Sequence, residues 1–168
     1  FRKTFPEARE LILKSHRIYP RVYPNAKYNG SEHCWTFPSG ARIYFGSMPN
    51  ATSYLRYQGL SFAFIGFDEL THFTREEYEY LISRNRADGP GVRVYIRATA
   101  NPGGVGHGWV KERFITSMPP NTPYEFKTTV SKPDGSAVEV TRKRIFIPSS
   151  VFDNKELLKN DPNYLANL

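Results

Sequence analysis

The sequence is poor in cysteine and has no long apolar run. Its 168 residues include one cysteine, Cys34, between His33 and Trp35. A single cysteine excludes an intrachain disulfide, and with no activating group in view we expect a packed thiol rather than a nucleophile. No apolar stretch approaches the roughly 18 residues of a membrane span, and the N-terminus lacks the pattern of a signal peptide. We therefore expect a protein of the reducing cytoplasm without a membrane partner.

Positive charge is plentiful instead. The chain has 23 lysines and arginines against 16 acidic residues, a formal charge of +7 and a pI near 9.5. This surplus suits a polyanionic partner, of which nucleic acid is the first candidate. A soluble domain can also carry the same excess on a solvated face. The length fits one folded domain, which we expect to span residues 1–168.

Apolar periodicity and turn residues predict alternating helices and strands. The first helix has a capping-box spacing, because Thr4 and Glu7 stand three residues apart ahead of an apolar face. The run Phe62–Phe67 is continuously apolar, which is typical of a strand buried on both faces of a sheet. We predict helices at 6–17, 74–85 and 109–115, with a short broken helix after 154. Strands are predicted at 41–45, 62–67 and 92–98, and a hairpin pairs 124–130 with 137–147. Residues 18–40 are predicted to be mostly loop, with a short strand at 33–37.

Strand, helix, strand and helix in succession imply a parallel sheet. Two carboxylates, Asp68 and Glu69, follow its first strand directly. A buried strand fixes the carboxylate at its end, so Asp68 can hold a Mg²⁺ ion on nucleotide phosphates while Glu69 orients and deprotonates the attacking water. The alternative is a solvated loop that leads into the helix near Thr74.

Polar residues also follow the next strand, where Thr99 and Asn101 stand before Pro102. Ligands of open parallel sheets bind at the carboxyl ends of the strands, so we expect these side chains beside Asp68. A threonine and an asparagine there can hydrogen-bond a γ-phosphate or its attacking water and respond to its loss. Read alone, the same residues are more typical of a capped turn before Pro102 than of a functional site.

A glycine cluster at 103–108 follows this strand and precedes a helix, as phosphate-binding loops do. It lacks the lysine and the hydroxyl residue of a P-loop, so a flexible connection is the competing interpretation. His72 and His107 have no carboxylate or cysteine at metal-ligand spacing. We predict that both histidines are structural or surface residues.

Several segments together resemble the large subunit of tailed-phage terminases. The stretch 64–71 is similar to the Walker B segment of that family, and 99–102 to its coupling motif. Further similarity covers nearly the whole chain in the expected order, at 2–7, 57–60, 106–114 and 147–154.

The resemblance implies an α/β fold with the parallel-sheet core of P-loop NTPases of the ASCE type, helices on both faces and a C-terminal β-hairpin. It implies an ATPase that uses ATP and Mg²⁺ to move double-stranded DNA into the procapsid. The implied partners are the portal protein, the small terminase subunit and further copies in a pentamer. The implied location is the host cytoplasm, with transient residence at the portal vertex of the procapsid.

Two parts that the resemblance implies are not found in the sequence. No G-x-x-x-x-G-K-[ST] motif occurs, and we expect it before Phe1; we expect a nuclease domain after Leu168. An opening at Phe1, just before a helix cap, is typical of a piece of a longer chain. We therefore expect this chain alone to bind ATP poorly and to lack turnover and DNA cleavage.

The resemblance also implies an arginine finger supplied by a neighbouring subunit. Arg56 is the nearest arginine before the Walker B segment, whereas Gln58 stands before Gly59 where some relatives carry arginine. Arg56 is therefore the candidate, and a surface or DNA-facing arginine is the alternative.

Two other functions compete with a packaging motor. One is a helicase-like motor, but such enzymes place His or Asp two residues after the glutamate, where this chain has Thr71. The other is a non-enzymatic basic DNA-binding module, supported by the charge and the many aromatics. A module of that kind has no need of two carboxylates at the end of a buried strand.

Overall fold

A computed structural model describes residues 1–87 and 89–167. The chain divides into two compact units, Phe1–Val110 and Lys111–Leu168. The first unit carries the predicted parallel sheet, and the second carries the hairpin. In the described ranges, every helix is too short or too polar to span a bilayer.

The first helix, α1, spans Phe5–Val22 and begins as predicted. The Thr4 hydroxyl accepts a hydrogen bond from the Glu7 backbone nitrogen, and the Glu7 carboxylate accepts one from the Thr4 backbone nitrogen. The helix continues five residues past the predicted end and includes Pro20. Its last turn is held by Tyr19, which packs edge-on against two aromatic rings of the following segment. The predicted loop at 18–22 is therefore wrong, because tertiary packing outweighs the local cost of proline.

A three-stranded antiparallel sheet follows α1. Its strands are β1 at Lys27–Asn29, β2 at Cys34–Thr36 and β3 at Arg42–Tyr44, with β2 in the middle. The short strand predicted at 33–37 and the strand at 41–45 are confirmed, whereas β1 falls in a stretch predicted as loop. The asparagine and glycine residues around β1 are typical of loops, so the sequence did not indicate this strand. It is stabilised by backbone pairing with β2.

The middle strand of this sheet packs on α1. Trp35 is 2% exposed, and its indole nitrogen donates to the Ser15 hydroxyl over 2.9 Å. Cys34 is fully buried in the same strand, so the packed thiol is confirmed.

The parallel sheet pairs β4, Phe64–Phe67, with β5, Tyr95–Ala98. These are the predicted neighbouring strands, and the polypeptide between them forms α2 at Arg75–Ile82. Thr74 caps α2 with the predicted capping box. The α2 side of the sheet is closed by Phe67, whose ring lies 5.3 Å from that of Tyr78.

The opposite face of β4 is open. Ile65 and Phe67 are 1% and 2% exposed, but Phe64 is 49% exposed. A groove of about 680 Å³ runs along this side, lined by Phe64, Gly66 and aromatic residues of other segments. The prediction of a strand buried on both faces is therefore wrong, because unbroken apolar sequence does not show which face is covered.

The first unit also contains α3, His107–Val110, where the predicted helix at 109–115 begins. In the second unit a π-helix occupies Lys111–Thr116. The predicted hairpin is confirmed as β6, Tyr124–Ser131, and β7, Ala137–Arg144. The C-terminal segment forms α4, Lys155–Asn160, and then a 3-10 turn. The predicted break after α4 is confirmed, and Leu168 lies outside the described residues.

Candidate functional site

The carboxyl ends of β4 and β5 meet at one edge of the parallel sheet, as the sequence predicted. Asp68 follows β4 and Thr99 follows β5. The Thr99 hydroxyl donates to Asp68 Oδ1 over 2.6 Å. Backbone bonds join the same segments, because Thr99 N donates to the Phe67 carbonyl and Leu70 N donates to the Thr99 carbonyl, over 3.0 Å and 2.8 Å. The two polar segments therefore form one cluster.

Glu69 occupies an unusual backbone conformation in this cluster. Its φ and ψ are 59° and 62°, in the left-handed region. Such a conformation costs a non-glycine residue about 1–3 kcal/mol and persists only where its surroundings impose it. Here the Glu69 amide donates to Thr99 Oγ1 over 3.3 Å. Strain at a candidate catalytic residue is consistent with a functional constraint on its position.

Asn101 holds the Glu69 carboxylate on both oxygens. The Asn101 backbone nitrogen donates to Oε2 over 3.2 Å, and the side-chain amide donates to Oε1 over 3.0 Å. Glu69 therefore points at the segment after β5 in this state. The sequence predicted that Glu69 and Asn101 lie at the same edge of the sheet, but not that they are hydrogen-bonded to each other.

Arg2 is a member of the cluster that the sequence did not single out. Its Nε and Nη2 atoms lie 2.7 Å and 2.6 Å from Asp68 Oδ2. Phe1 pairs with the end of β4, since its amino group donates to the Gly66 carbonyl and its carbonyl accepts from Asp68 N. The available signal was the placement of Arg2 two residues before a helix cap.

The oxygen atoms of the cluster fit a magnesium ion. Carboxylate and hydroxyl oxygens are hard ligands, and Asp68 and Thr99 bring both to the same point. Among the described residues there is no group of three or more His, Cys, Asp and Glu side chains that could hold a metal. Mg²⁺ commonly binds through one or two carboxylates together with water and phosphate oxygens, so this small donor set is sufficient only beside a nucleotide.

The segment after Glu69 packs tightly against the glycine cluster. Thr71 Oγ1 donates to the Asn101 carbonyl over 2.8 Å, and Gly106 N donates to the Thr71 carbonyl over 2.8 Å. A Cβ at Gly104 would lie 2.5 Å from the Thr71 carbonyl oxygen, and one at Gly106 would clash with the Phe73 carbonyl oxygen. Close backbone packing therefore accounts for these two glycines without a bound phosphate.

The histidines show no metal-binding arrangement. His107 Nδ1 accepts a hydrogen bond from Gly103 N over 3.0 Å, which is the structural role predicted for it. His72 is exposed in the 3-10 turn that follows Glu69.

Arg56 is not part of the cluster around Asp68. Its guanidinium donates to the carbonyls of Ser53 and Ser47 over 3.3 Å and 3.1 Å. These bonds hold Arg56 to its own segment of the chain. A finger acts on a neighbouring subunit, so that role for Arg56 stays a prediction.

Comparison with known proteins gives one assignment. No curated protein and no solved structure matches the chain. The family model described as terminase large subunit, T4likevirus-type, N-terminal, matches residues 19–165. That match covers most of the sequence, including Asp68, Glu69, Thr99 and Asn101. The chain belongs to the terminase large subunit family, whose members act in the packaging of phage DNA.

Proposed function

We propose that this chain is part of the ATP-hydrolysing motor that drives double-stranded DNA into a phage procapsid. Terminase large subunits are generally ATPases, and their partners are DNA and the packaging machinery. The observation that carries the proposal is the joining of Asp68 to Thr99 and of Glu69 to Asn101 at one sheet edge. The proposed setting is a P-loop NTPase core that assembles as a pentamer with the portal protein and the small terminase subunit.

Asp68 and Glu69 have different roles in this proposal. A magnesium ion, when bound with ATP, neutralises phosphate charge and orients the γ-phosphate. Asp68 would hold that ion through Oδ1, and the Thr99 hydroxyl keeps the carboxylate in place. Glu69 takes a proton from the attacking water, for which its carboxylate must first leave the two nitrogens of Asn101.

In this proposal Asn101 couples chemistry to motion. In the state described here it holds the general base, and its carbonyl accepts from Thr71 in the next turn. When Glu69 turns towards water, the amide of Asn101 becomes free for a γ-phosphate oxygen. Loss of that phosphate returns Glu69 to Asn101, and the change is passed to the turn that contacts Gly106 at the start of α3.

The chain contains no G-x-x-x-x-G-K-[ST] motif, so the proposed activity needs a phosphate-binding loop that residues 1–168 do not supply. The test is therefore made on the full-length protein with DNA present. Glu69→Gln keeps the size of the side chain and one of the two oxygens that accept from Asn101, but removes the base. We expect ATP turnover to fall by about 10²-fold or more while nucleotide affinity stays close to that of the parent.

Glu10→Gln is the matched control, because Glu10 is exposed on α1 and only pairs with Lys14 over 3.8 Å. It should leave turnover unchanged. Near-normal turnover of the Glu69 variant would place the base elsewhere, and a full-length parent that binds DNA without hydrolysing ATP would favour the non-enzymatic module.

A further inference from the structure

Both oxygens of the Asp68 carboxylate are engaged by neighbouring side chains. An ionised carboxylate offers about four lone-pair sites, two on each oxygen. Arg2 directs Nε and Nη2 at Oδ2, and Thr99 directs its hydroxyl at Oδ1. The guanidinium of Arg2 therefore covers Oδ2, with one hydrogen bond from Nε and a close ionic contact from Nη2, whereas Oδ1 accepts from Thr99.

This arrangement restricts how a cation can bind. A metal ion on Asp68 can approach Oδ1 alone, because the guanidinium of Arg2 covers Oδ2. The side chains of Arg2 and Asp68 are 22% and 26% exposed, so the pair is partly shielded from water and from competing ions. Coordination through one oxygen is allowed here, whereas coordination through both oxygens requires Arg2 to move away.

We propose that Arg2 is a positioning residue that selects Mg²⁺ over Ca²⁺ by restricting Asp68 to coordination through one oxygen. The proposal rests on the proposed function, in which Asp68 is the metal-facing carboxylate. Mg²⁺ takes six ligands in a near-ideal octahedron and accepts a carboxylate through one oxygen. Ca²⁺ takes six to eight ligands and readily uses both oxygens of a carboxylate. Covering Oδ2 therefore penalises the larger ion.

The backbone keeps Arg2 in position for this role. Arg2 N donates to the Gly46 carbonyl over 3.1 Å, and the Arg2 carbonyl accepts from Met48 N over 3.3 Å. Gly46 and Met48 are buried, and Phe1 is paired with β4 on the other side. The Cα of Arg2 is thus fixed between two segments, so that only side-chain rotation can uncover Oδ2.

The chemistry of arginine is essential to the proposal. Its planar guanidinium brings two nitrogens close to one oxygen at once, and its charge persists at every accessible pH. A lysine at this position keeps the charge but brings one nitrogen to Oδ2, which leaves a lone-pair site there for a metal. Arg2→Lys therefore separates the geometric effect from the electrostatic one, and Arg2→Met removes both.

The test measures binding rather than turnover. Affinity of the full-length protein for a non-hydrolysable ATP analogue is determined by calorimetry, once with Mg²⁺ and once with Ca²⁺, for the parent, Arg2→Lys and Arg2→Met. We expect the ratio of the two affinities to shift towards Ca²⁺ by about tenfold in both variants, a size typical of lost partners of metal ligands. Arg42→Lys is the control, since Arg42 is exposed and pairs with Glu32; its ratio should match that of the parent.

Two further results identify which idea fails. Asp68→Asn should abolish the dependence of analogue binding on divalent metal, and an unchanged dependence would overturn the proposed function itself. If Asp68→Asn behaves as expected but the Arg2 variants keep the parental ratio, the positioning role of Arg2 is overturned. Equal losses of affinity with both metals would also overturn it, because Arg2 would then be a phosphate ligand. Should Arg2→Met fail to fold, Arg2→Lys alone decides.

Discussion

The Glu69 carboxylate is held by Asn101, and the Glu69 backbone is strained. The carboxylate accepts from both nitrogens of Asn101, and the backbone stays left-handed. A hydrogen bond to a charged group is worth about 1.5–3 kcal/mol, which is similar to the cost of the backbone conformation. Release of the carboxylate breaks two such bonds, so we expect it only where a bound nucleotide supplies compensating contacts.

Asn101→Ala tests this contact. The variant removes the bond from Nδ2 and keeps the bond from the backbone, so Glu69 is held less tightly and, under the proposed function, the γ-phosphate loses its sensor. In the full-length motor we expect the rate of DNA packaging to fall by about fivefold or more, the scale of a typical coupling energy. ATP affinity should change much less. Packaging rate, ATPase rate and affinity are measured on one preparation.

Asn25→Ala, in an exposed turn, is the control for that comparison. An Asn101 variant that loses ATP affinity but packages at the parental rate under saturating ATP would make Asn101 a binding residue without a coupling role.

The sequence pointed to Asp68, Glu69, Thr99 and Asn101 because each stands directly after a predicted strand of a parallel sheet. It gave no comparable sign for Arg2, which lies 66 residues from Asp68 along the chain. That contact depends on which segment pairs beside β4, and no local pattern encodes the order of strands in a sheet.

At the scale of elements, the turn after Glu69 and the glycine cluster behave as one packed unit. The Trp109 indole nitrogen donates to the Phe73 carbonyl over 2.9 Å, and Gly106 N donates to the Thr71 carbonyl. Side chains at the approaching glycines would separate these backbones. The site therefore depends on the absence of two Cβ atoms as well as on its polar groups.

Gly106→Ala should destabilise the chain, because its Cβ would meet the Phe73 carbonyl and lie 3.0 Å from that of Thr71. We expect a loss of about 1–3 kcal/mol in the free energy of unfolding, as for other overpacked positions. Gly108→Ala is the matched control in α3, where nothing lies within 4 Å of the added carbon. It should be neutral or stabilise by up to about 1 kcal/mol. Denaturant unfolding of both variants makes the comparison, and equal effects would contradict the packing role.

Most helices and strands could be predicted from the sequence, but many of the residues at which they end could not. Capping residues correctly placed the starts of α1 and α2, since Thr4 and Thr74 act within one turn of sequence. The end of α1 and the whole of β1 depend on partners elsewhere: aromatic rings hold Tyr19, and β2 pairs with β1. Residues whose structure is decided by distant contacts carry weak local signals.

At the scale of the whole molecule, the two compact units differ in how much they bury. The first contains the fully or nearly fully buried side chains Phe73, Ile65 and Leu81. In the second, β6 and β7 are exposed along most of their length, and two ion pairs cross one face of the hairpin. A two-stranded ribbon of this kind gains little from burial, so most of the stability resides in the first unit.

The net charge of +7 leads to a prediction for the chain as a whole. If it binds double-stranded DNA through at least three phosphates, affinity should fall by more than about tenfold between about 50 mM and about 200 mM salt. Titration of a short labelled duplex at several salt concentrations gives the slope. A duplex with an uncharged backbone is the control and should bind weakly throughout. Affinity that does not change with salt would show that the positive charge has no part in DNA binding.

Trp109 gives the candidate site a built-in optical reporter. The sequence has two tryptophans, and the other, Trp35, is 2% exposed beside α1. The Trp109 ring lies 5.0 Å from that of Tyr78, and its N–H bonds to the backbone of the turn after Glu69. With Trp35 replaced by phenylalanine, the emission wavelength and quantum yield of the remaining indole would follow that turn in real time, without an attached dye.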